Sequence, residues 1–135
     1  MNARRPLVAL LALLVVAAVL VGCGSREHVI TQEGEIPDSV PDDFPVPADA
    51  TVGVSVVDQL AHQTEFALAL AQGVEEAAQY YLVNLVSSGY VVESSAGDDT
   101  RWGISFSRGA LRGTVRIEAG ETGCSVVVNI NQSGG

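Results

Sequence analysis

Hydrophobic and polar residues alternate along much of the chain after residue 50, and this alternation predicts β-strands. Val52, Val54 and Val56 are separated by small or polar residues, as in a strand with one buried face. Residues 64–72 alternate in the same way, although their Ala, Leu, Glu and Gln content would also suit a helix. A helix running from residue 64 to residue 88 would contain Gly73 at a cost of ~1 kcal/mol, so we favour a strand.

The spacing becomes helical at residues 73–88. Seven apolar residues recur there at intervals of three and four, namely Val74, Ala77, Ala78, Tyr81, Leu82, Leu85 and Val86. Gly73 is tolerated at an N-cap, and two glutamates in the first turn suit the positive end of the helix dipole. Gly89 suits the position just after the last turn. The sequence therefore predicts one helix over this segment.

Alternation resumes after the helix and predicts four more strands. One covers residues 90–94, and the others are centred on residues 102–106, 115–117 and 124–130. Gly109-Ala110 suits a two-residue type II′ turn, which would pair Phe106 with Gly113. A turn at residues 119–122 would then pair Val115 with Val126 and Ile117 with Cys124.

This register places the apolar residues of three strands on one face of the sheet, towards the helix. The element order ββαββββ predicts an α+β domain over residues 48–132, with one helix packed on a largely antiparallel sheet and a short tail at 133–135. The residues expected to be largely buried in its core are Phe66, Tyr81, Leu85, Trp102 and Phe106.

Residues 1–22 have the features of an export signal. Arg4 and Arg5 precede an uninterrupted apolar stretch of 14 residues, which is shorter than the ~20 needed to cross a bilayer. The residues that follow, Leu20-Val21-Gly22-Cys23, resemble the lipobox of bacterial prolipoproteins.

This resemblance implies that a diacylglycerol is attached to the sulfur of Cys23 and that signal peptidase II cleaves between Gly22 and Cys23. The lipid would hold the mature chain on the extracytoplasmic face of the cell membrane. The alternative is an uncleaved signal anchor with an incidental cysteine. Arg4-Arg5 could also indicate twin-arginine export, but Pro6 and the strongly apolar stretch favour the general secretion route.

Residues 23–47 are predicted to be the lipidated N-terminus and a tether. Four of the five prolines fall in residues 24–47, with six acidic residues against one arginine, a composition typical of a flexible or extended linker. The Phe44-Pro45-Val46-Pro47 end is apolar enough to dock on the domain, so the boundary is placed near Asp43. With Ala48, this end also resembles the opening of small domains found in many secreted bacterial lipoproteins. That resemblance implies the same fold and no known active site.

Composition and charge exclude a protein that binds nucleic acid through a basic surface. The formal net charge is −9, and without residues 1–22 the chain keeps five arginines against 16 acidic residues, a net charge of −11. Affinity for phosphates needs clustered positive charge. We expect such a chain to be held away from anionic headgroups by its charged tether.

The sequence offers little catalytic chemistry, and we predict a protein that is not an enzyme and needs no cofactor or metal. Ser105 lies within a predicted strand and lacks the surroundings of a nucleophile elbow. The two histidines, His28 and His62, fall in the tether and in a turn, and they are far apart. Cys124 shares the apolar face of the last strand, where a thiol is inert. The acidic pairs Asp42-Asp43 and Asp98-Asp99 fit no calcium loop.

Three arginines stand out on the sheet face opposite the helix. Arg101 is predicted to lie opposite Glu118, whereas Arg112 and Arg116 have no acidic residue directly across the sheet. They either keep an open face solvated or dock an anionic partner, such as a protein, an envelope glycopolymer or the acidic tether itself. We therefore expect a non-catalytic interaction module, with a carrier of a small apolar ligand between helix and sheet, or an accessory subunit of an envelope enzyme, as alternatives.

Overall fold

A computed structural model describes residues 28–132, which form one helix and seven strands. In chain order the elements are β1 (Val29–Glu33), β2 (Thr51–Asp58), β3 (Gln63–Leu70), α1 (Val74–Ser87), β4 (Val91–Gly97), β5 (Arg101–Arg108), β6 (Leu111–Gly120) and β7 (Gly123–Gln132). The predicted signal peptide, the Gly22–Cys23 cleavage site, the lipid attachment site Cys23 and the tail at 133–135 lie outside the described residues.

The strands form a single sheet in the order β1-β2-β3-β7-β6-β5-β4, and each neighbouring pair is antiparallel. Residues 64–72 have a composition that would also suit a helix, and most of them form the strand β3, as predicted. The predicted α+β class, with one helix on a largely antiparallel sheet, is confirmed. The order contains one strand more than predicted, because β1 precedes the expected six.

The helix packs on one side of the sheet, against β4 to β7, and we call this side the inner face. The fully buried side chains that fill the space between helix and sheet include Phe66, Tyr81, Leu85, Phe106, Val115, Ile117, Val126 and Val128. Four of the five expected core residues are among the buried ones, whereas Trp102 is only partly buried. Val86, which was predicted on the apolar stripe, is 60% exposed.

Residues 34–50 cover the inner face beside the helix, so much of the predicted tether belongs to the domain. Val40 and Phe44 are 5% exposed. The Phe44 ring lies 6.0 Å from that of Phe66 and 5.6 Å from that of Phe106. The Ser39 hydroxyl hydrogen-bonds the buried Thr64 hydroxyl at 2.6 Å. The proline and acid content indicated a tether, but the apolar residues among the prolines are buried.

Three proline-led turns shape this segment. The carbonyl oxygens of Pro37, Pro41 and Pro47 accept hydrogen bonds from the N–H groups three residues later, at 3.0–3.1 Å. Val40 and Phe44 end the first two turns, so both side chains point into the core while the acidic residues between them remain at the surface. Before this segment, β1 pairs with β2 from Val29↔Asp58 to Glu33↔Val54.

The β5–β6 register matches the prediction, and the β6–β7 register does not. Gly109 has φ 61°, as the first position of the expected two-residue turn requires, and Phe106 pairs with Gly113. The next turn is shorter than expected, because Gly120 pairs directly with Gly123. Val115 therefore pairs with Val128, two residues from the predicted partner. A shift of two residues keeps each side chain on its predicted face.

The sheet has two ends that matter for the site. At the His28 end lie the start of β1, the β2–β3 turn and the β5–β6 turn. At the Gly97 end lie the β4–β5 and β6–β7 turns and the start of α1. Strands of 8–10 residues separate the two ends by roughly 25–30 Å.

Candidate functional site

A groove of about 580 Å³ lies at the Gly97 end of β4, β5 and β6. Its lining includes two arginines, two acidic residues, a tryptophan and two glycines. The lining residues are Ala96, Gly97, Asp98, Arg101, Trp102, Gly103, Arg116, Ile117 and Glu118. Two of the three predicted docking arginines, Arg101 and Arg116, are thus brought together. We call this site the Gly97-end groove.

Two glycine residues, Gly97 and Gly103, determine the shape of the groove. Ala96, Gly103 and Arg116 form one row across β4, β5 and β6 on the outer face, which is the sheet face opposite α1. A Cβ atom added at Gly103 would have no other atom within 4 Å, so the space beside Arg116 is open. At Gly97 the opposite holds, since a Cβ would lie 2.6 Å from the Cα of Trp102. Gly97 therefore lets the backbone approach the indole.

Trp102 forms an amphipathic part of the lining. Its side chain is partly buried against the core, and its Nε1–H donates a hydrogen bond to the Ser95 hydroxyl at 2.8 Å. The indole also borders a smaller groove of about 230 Å³ on its helix side, lined by Glu75, Ala78, Gln79 and Leu82. Trp102 is the one tryptophan in the sequence, which makes it a spectroscopic probe of this end.

Asp98 organises the turn that carries Arg101. Its Oδ1 accepts hydrogen bonds from the Thr100 hydroxyl at 2.6 Å, the Thr100 N–H at 2.8 Å and the Arg101 N–H at 3.1 Å. These bonds, the Thr100 hydroxyl first, lower the pKa of Asp98. The Asp98 carboxylate is therefore used within the protein, and its role is to fix the start of β5.

The guanidinium groups of the groove are available to a ligand. Arg101 is paired in register with Glu118, as predicted, but among residues 28–132 neither Arg101 nor Arg116 forms an ion pair within 4 Å. Both arginines are exposed. A guanidinium with free N–H donors can bind a carboxylate or phosphate in a bidentate manner.

Arg112 differs from the other two predicted docking residues. It lies four residues before Arg116 on β6, roughly 13 Å away, and its Nη1 contacts Glu93 Oε1 at 3.3 Å. The Ser107 hydroxyl donates to the same Glu93 oxygen at 2.8 Å. Glu93 occupies a β-bulge between Val92 and Ser94, which the strand pattern did not reveal. As expected, no acidic residue lies directly across the sheet from Arg112, which pairs with Ser107 and Asn131, but Glu93, two strands away, is an acidic neighbour.

Sequence reasoning also missed the role of Arg108. Its two terminal nitrogens bind the Asp43 carboxylate at 2.7 and 3.0 Å, and Nη1 also donates to the Ser88 carbonyl at 2.9 Å. Its guanidinium carbon lies 4.1 Å from the centre of the Tyr90 ring. The hydrogen bond from Arg108 lowers the pKa of Asp43. This contact fixes residues 34–50 to the end of the helix, so it is structural.

The residues considered for catalysis are dispersed. His62 lies in the exposed β2–β3 turn with φ 51°, and Ser105 lies on β5 with β3, β7 and β6 between them. Cys124 is 5% exposed, and burial raises the pKa of its thiol. Among the residues that the structure describes, no group of three or more His, Cys, Asp or Glu side chains is placed to hold a metal ion.

Comparisons with known proteins add no relative: no family model, curated protein or solved structure matches the chain. Within residues 28–132, no helix combines the length and hydrophobicity needed to span a membrane.

Proposed function

We propose that this chain is an envelope lipoprotein, anchored through Cys23, whose domain docks a partner protein at the Gly97-end groove without catalysing a reaction. The observation that carries the proposal is the position of Arg101 and Arg116, which share a groove at the end of the sheet opposite His28. The predicted lipid attachment site lies only five residues before His28.

The short distance from Cys23 to the domain determines how the groove is oriented relative to the membrane. Because β1 begins at Val29, the sheet starts six positions after the lipid attachment site, and this stretch can span at most ~20 Å. The link between the lipid and the sheet is therefore much shorter than the 24-residue charged tether that the composition predicted. The His28 end would lie nearest the membrane, and the groove would face away from it.

The chemistry of the groove favours a partner that presents an anionic group. Arg101 and Arg116 supply free guanidinium donors on the outer face, and Trp102, whose indole lies on the inner face towards the helix, borders the same groove at the end of the sheet. Arg and Trp are the residue types most often responsible for binding energy at protein interfaces. We assign the recognised group to a carboxylate on a protein partner rather than to a glycopolymer, because the surface around the groove is broad.

That surface is the outer face of the sheet. No helix or segment of residues 28–132 covers it, and across β5, β6 and β7 it carries short polar side chains: Ser105, Ser107, Thr114, Ser125 and Asn129. A face of this kind can accept a flat protein surface around a central arginine contact. The same side chains would keep the face solvated in the absence of the partner.

The two alternatives have less support. A carrier of an apolar ligand needs a pocket of ~300 Å³ or more, whereas large side chains fill the space between α1 and the sheet. An enzyme subunit needs converging reactive groups, but Ser105, His62 and Cys124 lie on separate parts of the sheet.

The test is recovery of the partner from detergent-solubilised membranes by the full-length lipidated protein. We expect the double variant Arg101→Ser/Arg116→Ser to recover much less partner than the wild type, and wild-type recovery to fall with rising salt. Arg112→Ser is the matched control, because it removes an exposed arginine of the same strand that already has Glu93 beside it. Equal recovery by the double variant and the wild type would refute docking at this groove, provided that circular dichroism shows both proteins folded.

A further inference from the structure

Three apolar side chains are exposed together at the His28 end, where β1 starts and the β2–β3 turn projects. Leu60 is 70% exposed, Val29 is 47% exposed and Val56 is 37% exposed. Val29 and Val56 lie on the outer face of adjacent strands, and with Asp58, Gln63 and Glu65 they line a shallow depression beside the turn. We call Val29, Val56 and Leu60 the apolar corner.

Hydrogen bonds hold Leu60 in this position and connect the turn to the entry of the chain. Asp58 Oδ1 accepts the N–H groups of Leu60 and Ala61, each at 3.0 Å. The Gln59 N–H donates to the His28 carbonyl at 2.9 Å. The residue through which the chain arrives from Cys23 is therefore bonded to the turn that exposes Leu60.

Acidic residues without a basic partner lie at both ends of the domain. Those at the Gly97 end include Glu75, Glu76, Asp98, Asp99, Glu118 and Glu121, whereas Asp38, Asp42 and Asp58 lie at the His28 end. At the His28 end, Asp43 and Glu93 are paired with Arg108 and Arg112. The acidic groups beside the apolar corner are Asp58, which caps the turn, and Glu65, which accepts a hydrogen bond from Asn129. Because Arg101 and Arg116 also lie at the Gly97 end, charge does not favour either end, and the His28 end is distinguished by its exposed apolar side chains and by the entry of the chain there.

We propose that the apolar corner rests on the lipid surface, with Leu60 inserted among the headgroups, and so sets the orientation of the domain on the membrane. This inference rests on the proposed anchoring at Cys23. An anchor only five residues from His28 keeps the corner at a high effective concentration near the bilayer, so a small apolar contact is sufficient. A second copy of the chain is a poorer occupant, because a stable dimer needs an interface of ~1,000 Å² or more, which three side chains do not supply.

The experiment places one tryptophan at either end of the lipidated, full-length protein in phosphatidylethanolamine–phosphatidylglycerol vesicles with brominated acyl chains. The test variant is Leu60→Trp/Trp102→Phe, and the matched control is Glu121→Trp/Trp102→Phe, which alters an exposed two-residue turn at the Gly97 end. Because tryptophan itself favours bilayer interfaces, the control also measures that bias. Each variant is checked for lipidation by mass spectrometry and for folding by circular dichroism.

We expect brominated lipid to quench the emission of the Leu60→Trp variant strongly, with a blue-shifted maximum, and to leave the Glu121→Trp variant nearly unchanged. Equal quenching of the two lipidated variants would overturn the orientation while leaving the anchor intact. A Leu60→Trp emission shielded from both brominated lipid and aqueous acrylamide would indicate a second copy on the corner and would also overturn it. An unmodified Cys23 in the vesicle-bound protein would overturn the anchor and, with it, this inference.

Discussion

The ring of Phe106 lies against the backbone of Gly113, its partner across the β5–β6 pair. A Cβ atom added at Gly113 would collide with that ring and would lie 2.7 Å from the Asn129 carbonyl oxygen. Glycine at this position therefore lets the aromatic side chain lie flat on the sheet, beneath Phe44 and Tyr90. The contact sits at the centre of the core that joins the sheet, the helix and residues 34–50.

We expect Gly113→Ala to destabilise the domain by roughly 1–3 kcal/mol, because both the ring and a neighbouring strand would have to move. Gly103→Ala, on the paired strand, is the control, since a Cβ there meets nothing within 4 Å and the free energy of unfolding should stay within ~0.5 kcal/mol. Urea denaturation of both variants measures the difference. Similar stabilities would mean that the ring does not occupy the space above Gly113.

Phe106→Ala should cost ~3–5 kcal/mol, because it removes a side chain that is 1% exposed and leaves a cavity. In a domain with a typical stability of ~5 kcal/mol or little more, such a loss brings the protein close to unfolding. Val91→Ala, at a position 61% exposed, provides the comparison and should change thermal stability only slightly. A Phe106→Ala protein that melts near the wild-type temperature would contradict the core described above.

The Asp43–Arg108 pair predicts a particular dependence of stability on pH. Because Arg108 lowers the pKa of Asp43, the pair stabilises the folded state above the ordinary carboxyl pKa of 3.8, and this contribution is lost as pH falls through the lowered value. Asp43→Asn should therefore be less stable than the wild type at neutral pH, and the difference should shrink below about pH 4. Asp42→Asn changes the neighbouring charge outside the ion pair and should leave the wild-type profile intact. Thermal melts from neutral to acidic pH provide the measurement, and parallel profiles for Asp43→Asn and the wild type would count against the pair.

Tyr81 presents a buried hydroxyl that finds no hydrogen-bond partner in the described part of the chain. Its side chain is 0% exposed, and burial raises the pKa of the hydroxyl. Removing an unsatisfied buried group while keeping the ring should help, so Tyr81→Phe is expected to stabilise the domain by about 1 kcal/mol. Tyr80→Phe, at a partly buried neighbour, should have little effect. A destabilised Tyr81→Phe variant would show that a buried water or another group binds this hydroxyl.

The parts of the fold that could be predicted are those fixed by local pattern. The helix begins after Gly73 and ends before Gly89, as the spacing and the two glycines indicated. Gly109-Ala110 set the β5–β6 register, and hence the pairing of Phe106 with Gly113 and of Arg101 with Glu118. These features depend on residues close together in sequence, for which turn and helix preferences are informative.

The features that escaped prediction depend on contacts between distant segments. β1 is five residues long and pairs with residues of β2 that are 21–29 positions away, so no local pattern distinguished it from the predicted tether around it. The docking of Phe44 was expected, whereas the burial of Val40 was missed and could have been recognised from the Pro-x-x-apolar spacing that repeats at Pro37 and Pro41. The high proline and acid content of the whole segment instead favoured a tether.

Only part of the candidate site could be predicted from the sequence. Alternation placed Arg101, Arg112 and Arg116 on the outer face, but it could not show that the bulge at Glu93 neutralises one of them. Nor could it show the groove, whose shape depends on Gly97 and Gly103 lying next to Trp102 and Arg116 across three strands.

Attachment of lipid to Cys23 is the central claim, because the proposed function and the proposed membrane contact both depend on it. The most direct measurement is the mass of the intact protein and of its N-terminal peptide after extraction from bacterial membranes, with Cys23→Ala as the comparison. We expect a mature chain that begins at Cys23 and carries diacylglycerol on the sulfur, and a Cys23→Ala precursor that keeps residues 1–22. A wild-type protein that retains residues 1–22, or that begins at an unmodified Cys23, would contradict the claim.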